Sequence, residues 1–137
     1  FQDLLPYMTL PNIPATHAKD SRSAWHLYPV LLKLENLGAS RAQIVLAMRE
    51  LGIEAHVHYM PVYLHPYYLK LGYAKGLCPN AEWYYERVVT LPVYPKMTKA
   101  DIAKVVECFH KVLLKHRKPA SAPAAKANSR VKVLSSR

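Results

Sequence analysis

From Lys99 onward, apolar residues recur at Ile102, Val105, Val106, Phe109, Val112 and Leu113. This three-and-four spacing gives a helix one apolar face. Thr98 followed by Asp101 forms a capping box at its start, and Pro119 sets fraying near Lys118. A second helix has the same grammar. Ser40 caps it with Gln43 three residues on, Ile44, Met48 and Leu51 form its stripe, and Gly52 ends it. Strand signals lie between and around these helices. Ser23 to Leu34 is rich in aromatic and β-branched residues, with Pro29 marking an edge or a bulge. Glu54 to Tyr59 alternates, with Ala55, Val57 and Tyr59 on one face and Glu54, His56 and His58 on the other. Val88 to Leu91 reads as a third strand, preceded by a short helix over AEWYYER that Asn80 caps.

Phe1 to Met8 reads as the end of a helix broken at Pro6, then a loop, and the stretch from Tyr59 to about Gly76 reads as irregular. Helices alternating with short strands predict an α/β (α+β) two-layer sandwich. Its sheet is expected to be short and mixed, with helices mainly on one face. The chain opens on FQDLLPYM with no initiator Met, which reads as the back half of something longer.

Charge changes this picture only at one end. Residues 1–110 hold eleven Lys and Arg against nine Asp and Glu, a net of +2, while residues 111–137 hold eight and none, a net of +8. The segment 118–137 is rich in Ala, Ser, Pro and Lys, so it is expected to be a solvated, disordered tail. Without aromatic interleaving it gives little reason to expect nucleic acid as a partner. No apolar run approaches a membrane span. Cys78 and Cys108, thirty residues apart in unlike contexts, read as reduced thiols of a cytoplasmic protein.

Candidate chemistry concentrates between His56 and Pro95. That stretch has eight of the ten tyrosines, three of the seven histidines and five of the eleven prolines. Tyr and His combine an apolar body with a polar tip, a composition that suits a cleft wall gripping a polar ligand. His56, His58, His65 and Cys78 are too loosely spaced for a metal site, and no Cys–His nucleophile or Gly-rich phosphate loop is present. Glu82 and Glu86 stand one helical turn apart and are expected to face water. From the residues alone, the chain has a pocket wall without catalytic machinery.

Three blocks, SAWHLYPVLL, GIEAHVHYMPVYLHPYYLKLGY and CPNAEWYYERVVTLPVYPKMT, resemble in order the carboxy-terminal small domain of the DegT/StrS-type nucleotide-sugar aminotransferases. These are pyridoxal-phosphate (PLP) enzymes of fold type I. Within that family the blocks look most like the branch acting on UDP-linked 4-keto-6-deoxy-N-acetylhexosamines, as in pseudaminic acid biosynthesis. The resemblance covers about residues 1–117 and leaves the tail unmatched. It implies a missing amino-terminal large domain that supplies the Schiff-base lysine and most of the PLP site. It also implies a homodimer, glutamate as amino donor and a keto-sugar nucleotide as acceptor.

By position in the matching motif, His58 and Tyr59 are the candidate substrate contacts, with Tyr63 and His65 beside them. Many relatives have His in place of Tyr63 and Gln in place of His65, so sugar recognition is expected to differ in detail. For His58 and Tyr59 a structural turn, with both tips bonded to backbone, is the alternative. Trp25, Tyr28, Tyr84 and Tyr85 read as packing residues. No catalytic residue and no metal ligand is assigned to this chain, which is expected to be inactive alone. A PLP-dependent sugar dehydratase, or a free-standing binding module with a basic tail, remain the other readings.

Overall fold

The computed structural model describes residues 1–11 and 25–119. The expected disordered tail therefore lies outside the described residues beyond Pro119, as do Ser23 and Ala24 of the first expected strand and most of the preceding loop. Among the described residues three strands, β1 (Met8–Thr9), β2 (Tyr28–Leu32) and β3 (Val88–Leu91), form one sheet in the order β1-β2-β3. Four α-helices accompany it: α1 (Arg41–Glu50), α2 (Pro66–Lys70), α3 (Pro79–Arg87) and α4 (Lys99–Lys115). Single 3₁₀ turns occur at Gln2–Leu4, Leu34–Asn36 and Val62–Leu64.

Both capping boxes form as the sequence dictates. Gln43 N–H donates to Ser40 Oγ at 3.3 Å while Ser40 N–H donates to Gln43 Oε1 at 2.9 Å. At α4 the matching pair, Thr98 and Asp101, closes at 2.8 and 3.2 Å. Gly52 ends α1 with φ +74°, which a Cβ would resist. On the sheet, Val30 and Val89 lie opposite each other, and Val30, Leu32, Val89 and Leu91 face the core. Ile44 and Met48 of α1 and Val105, Phe109, Val112 and Leu113 of α4 close over them. The two-layer α/β arrangement is thus as expected.

Several details differ. The sheet is antiparallel throughout, not mixed. The beginning of the chain is no helix end: one 3₁₀ turn leads into β1, and Leu4 and Met8 are fully buried. Pro29 sits in the central strand. Its missing N–H costs nothing there, because Thr90 opposite turns its own N–H and C=O away to His56 and β1 pairs only with Leu31 and Leu32.

Glu54 to Tyr59 is not a strand; only His56 bridges to Thr90, through bonds of 3.0 and 2.8 Å. Extending that register would put Glu54 across from Pro92, which has no N–H, and His58 across from Val88, the C-cap of α3. Asn80 is not the cap of α3. Cys78 takes that place and Pro79 the first turn, where proline loses no helix bond. The expected fraying near Lys118 is also absent: its N–H donates to Asn36 C=O at 3.0 Å and its Nζ to Glu35 C=O at 2.9 Å. Among the described residues no helix is long and apolar enough to cross a membrane. Cys78 and Cys108 are free thiols.

Candidate functional site

The His56–Thr90 bridge carries the chain across the end of β3 and leaves the following residues free of sheet pairing. A cleft of about 340 Å³ forms there, lined by His26, Glu54, His56, His58, Thr90 and Tyr94 among others. The rings of His56 and His58 are 5.9 Å apart, and the Tyr59 ring meets His58 edge-on at 4.5 Å. The peptide between His58 and Tyr59 is cis. Burial, and then the nearby His56 and His26, hold the His58 imidazole below its usual pKa. At neutral pH it is therefore uncharged, with one ring nitrogen donating and the other accepting. Among the described residues, two buried polar atoms, His58 Nδ1 and Thr90 Oγ1, have no hydrogen-bond partner, and both residues line this cleft. Glu54 lies 3.8 Å from His56 Nε2 at the exposed rim.

The four expected substrate residues are not gathered at one point. His58 lines the cleft, whereas Tyr59 is 68% exposed beside it. His65 is exposed at the N-cap of α2, where its side chain makes no capping bond. Tyr63 points elsewhere. Its hydroxyl donates to Glu82 Oε1 at 2.7 Å and lies 3.3 Å from both the N–H and the C=O of Cys78.

Glu82 had been expected to face water with Glu86. It is instead only 7% exposed, and the same Oε1 takes a second bond, 2.6 Å long, from Gly76 N–H. Glu86 does stay outside, paired with Lys75 at 3.0 Å. Nothing in the spacing of Glu82 on its own helix reveals its burial, because its partner stands nineteen residues earlier. Thr90 was overlooked as well, although a hydroxyl between Val89 and Leu91 was a visible signal. Tyr84 and Tyr85 are half-buried on α3; Arg41 stacks over the Tyr85 ring at 4.5 Å, and the Trp25 ring lies 5.5 Å from that of Tyr28.

The Tyr63–Glu82 bond has an acid limit and an alkaline limit. The Tyr63 hydrogen bond, reinforced by Gly76 N–H and Lys75 against the effect of burial, keeps the Glu82 carboxyl below its usual 4.5. Burial and then Glu82 push the Tyr63 phenol up from 10.0 to about 12. A depressed carboxyl contributes stability above its unfolded value and loses it as pH falls through the folded one. A raised phenol contributes below pH 10.0 and loses it as pH climbs toward about 12. In an ultraviolet absorbance titration Tyr63 should therefore ionise well after an ordinary tyrosine, and Glu82→Gln should move it back toward 10.0. Ionisation of every tyrosine together near that ordinary value would contradict the bond.

The family model for DegT/DnrJ/EryC1/StrS aminotransferases matches residues 1–110. The chain belongs to this family. The spore coat polysaccharide biosynthesis protein SpsC of Bacillus subtilis is 38% identical over 111 residues, 78% of this chain and 28% of SpsC. Spr1654 of Streptococcus pneumoniae, a sugar-aminotransferase candidate solved in its PLP form, aligns at a TM-score of 0.67 and 25% identity over 83% of this chain and 30% of its own. PseC of Helicobacter pylori, an aminotransferase of pseudaminic acid biosynthesis, aligns at 0.67 and 24%, over 80% of this chain and 28% of its own. At that identity PseC shows the fold alone. The chain spans less than a third of the length of each of these relatives.

For a DegT-family chain the question is whether its residues fit PLP. They do not by themselves. Among the described residues no lysine is buried; Lys33 donates to Leu5 C=O, Lys75 pairs with Glu86, and Lys118 bonds Glu35 C=O. Lys75 is held above its ordinary pKa by Glu86, the opposite of a lysine poised as a nucleophile. No cluster of three metal-ligating side chains occurs among the described residues.

Proposed function

We propose that residues 1–117 are the carboxy-terminal small domain of a PLP-dependent sugar-nucleotide aminotransferase, with 118–137 an appended tail. The observation that carries this reading is the cleft in which His58 Nδ1 and Thr90 Oγ1 are buried without partners among the described residues. Buried polar groups are normally satisfied, so orphans on a cleft wall favour a polar ligand arriving there. A sugar nucleotide brings many hydroxyl and phosphate oxygens. In this reading His58 faces it from the cleft with Tyr59 at the edge, while Tyr63 and His65 belong to the segment that follows and act on the sugar nucleotide by shaping that segment. Glutamate is the amino donor and a keto-sugar nucleotide of the UDP-4-keto-6-deoxy-N-acetylhexosamine kind is the acceptor.

PLP supplies the electron sink when bound. Its lysine and most of its pocket we assign to a large amino-terminal domain outside this chain, in a cytoplasmic homodimer. The share of this chain is to bind and orient the acceptor and to keep His58 neutral beside it. The absence of a buried lysine among the described residues gives the direct test. Purified alone and titrated with PLP, the chain should show only the weak, non-saturating imine absorbance of exposed lysines. A saturable band would overturn the division of labour.

A further inference from the structure

We infer that Glu82 is a positioning residue: through Tyr63 and Gly76 it pins residues 61–78 as a strap beside the cleft. This rests on the proposed sugar-nucleotide reading for its functional consequence, though not for its geometry. The strap carries the 3₁₀ turn Val62–Leu64 and α2, and none of its residues belongs to the hydrophobic core. Most of its larger apolar side chains, Val62, Tyr67, Leu69, Leu71, Tyr73 and Leu77, are exposed, with Leu64 and Tyr68 half-buried. A segment of this length without core contacts is expected to open locally at little cost. Two aromatic contacts inside it, Tyr67 on Tyr68 and Tyr68 on Tyr73, do not reach the rest of the fold.

Two carboxylates of α3 hold the strap: Glu86 pairs with Lys75 at the exposed surface, and Glu82 makes the buried contact. Glu82 projects from α3, which runs straight into β3, so its position is fixed by the sheet. Its Oε1 receives Tyr63 Oη–H from the first part of the strap and Gly76 N–H from the last part. Both ends of the strap therefore converge on a single oxygen. Gly76 turns with φ +98°, which presents its N–H to the carboxylate and which other residues resist. Hydrogen bonds to an ionised acceptor are among the stronger ones available. Because the strap leaves the cleft directly after His58, Tyr59 and Met60, fixing it fixes the path of that wall. Tyr63 thereby acts on the cleft through Glu82, with its hydroxyl already spoken for.

Hydrogen exchange on the 137-residue chain tests the clasp. Tyr63→Phe and Glu82→Ala should each speed amide exchange in residues 62–78 by roughly tenfold, leaving α4 and the β2–β3 amides unchanged. Glu82→Gln keeps an acceptor oxygen and should restore part of the protection. Combining Tyr63→Phe with Glu82→Ala should add less than the sum of the two. Unchanged exchange in the strap, or equal acceleration everywhere, would overturn the clasp. In the complete enzyme the same variants should raise KM for the sugar nucleotide several-fold with kcat nearly constant. A freed strap with unaltered KM would remove the positioning role. Failure of the wild-type enzyme to transaminate would sink the functional reading instead, with the exchange result still standing.

Discussion

Phe109→Ala should destabilise the chain by about 3–5 kcal/mol, the usual loss for emptying a fully buried phenylalanine site. Phe109 is completely buried on α4, packs edge-on against Phe1 at 6.2 Å, and lies in the cluster with Val30, Leu32, Met48 and Leu113. The cavity would therefore open where helix, sheet and the first residues of the chain meet. Urea denaturation measures it as a lower midpoint with an unaltered slope. Ile102→Ala on the same helix is the internal control. Ile102 belongs to the apolar repeat yet is 50% exposed, so its removal should cost far less. Equal losses at the two positions would mean that α4 presents a different face to the sheet.

In the complete enzyme, His58→Ala and Tyr59→Phe should each reduce kcat/KM for the sugar nucleotide by about tenfold, the effect of one lost hydrogen bond. The half-reaction with the amino donor should be unaffected, because the proposed contacts reach the sugar nucleotide only. His58→Ala removes an imidazole whose Nδ1 is buried with no partner among the described residues. Little favourable protein contact at that nitrogen is lost with it. Tyr59→Phe removes one hydroxyl from a ring that is mostly in water. Neither change should disturb the core, and a thermal scan checks that directly. Unaltered kinetics in both variants would return His58 and Tyr59 to a role in shaping the turn.

Local chemistry made α1 and α4 readable before any coordinates. A capping box needs only residues three apart, and an apolar stripe needs only its own period. Ser40, Gln43, Thr98 and Asp101 do in the structure what their order implies. Features that depend on distant partners were hidden. Met8 pairs with Leu32, and Glu82 meets Tyr63 across nineteen residues. The alternation of Glu54 to Tyr59 was genuine but insufficient, since a strand also needs a partner with free N–H groups and Pro92 offers none. That proline was in view, and it could have shortened the strand to a single bridge. Composition pointed to His56 and His58, which line the cleft, but of the eight tyrosines in that stretch Tyr94 alone is part of the lining. Which of these residues converge was not legible, because the bridge at His56 decides how the chain turns.

The residues after α4 have a practical bearing on how the gene is cut. His116 C=O accepts from Gly38 N–H at 2.7 Å, Arg117 bridges to Leu37, and Lys118 is bonded to the Leu34–Asn36 turn. A stop codon after Pro119 preserves this seam, whereas one after Lys115 unpicks it and exposes the connection between sheet and first long helix. An affinity handle or fluorescent label is therefore best appended downstream of the seam, clear of the bonds that Gly38, Leu37 and the Leu34–Asn36 turn make to residues 116–118.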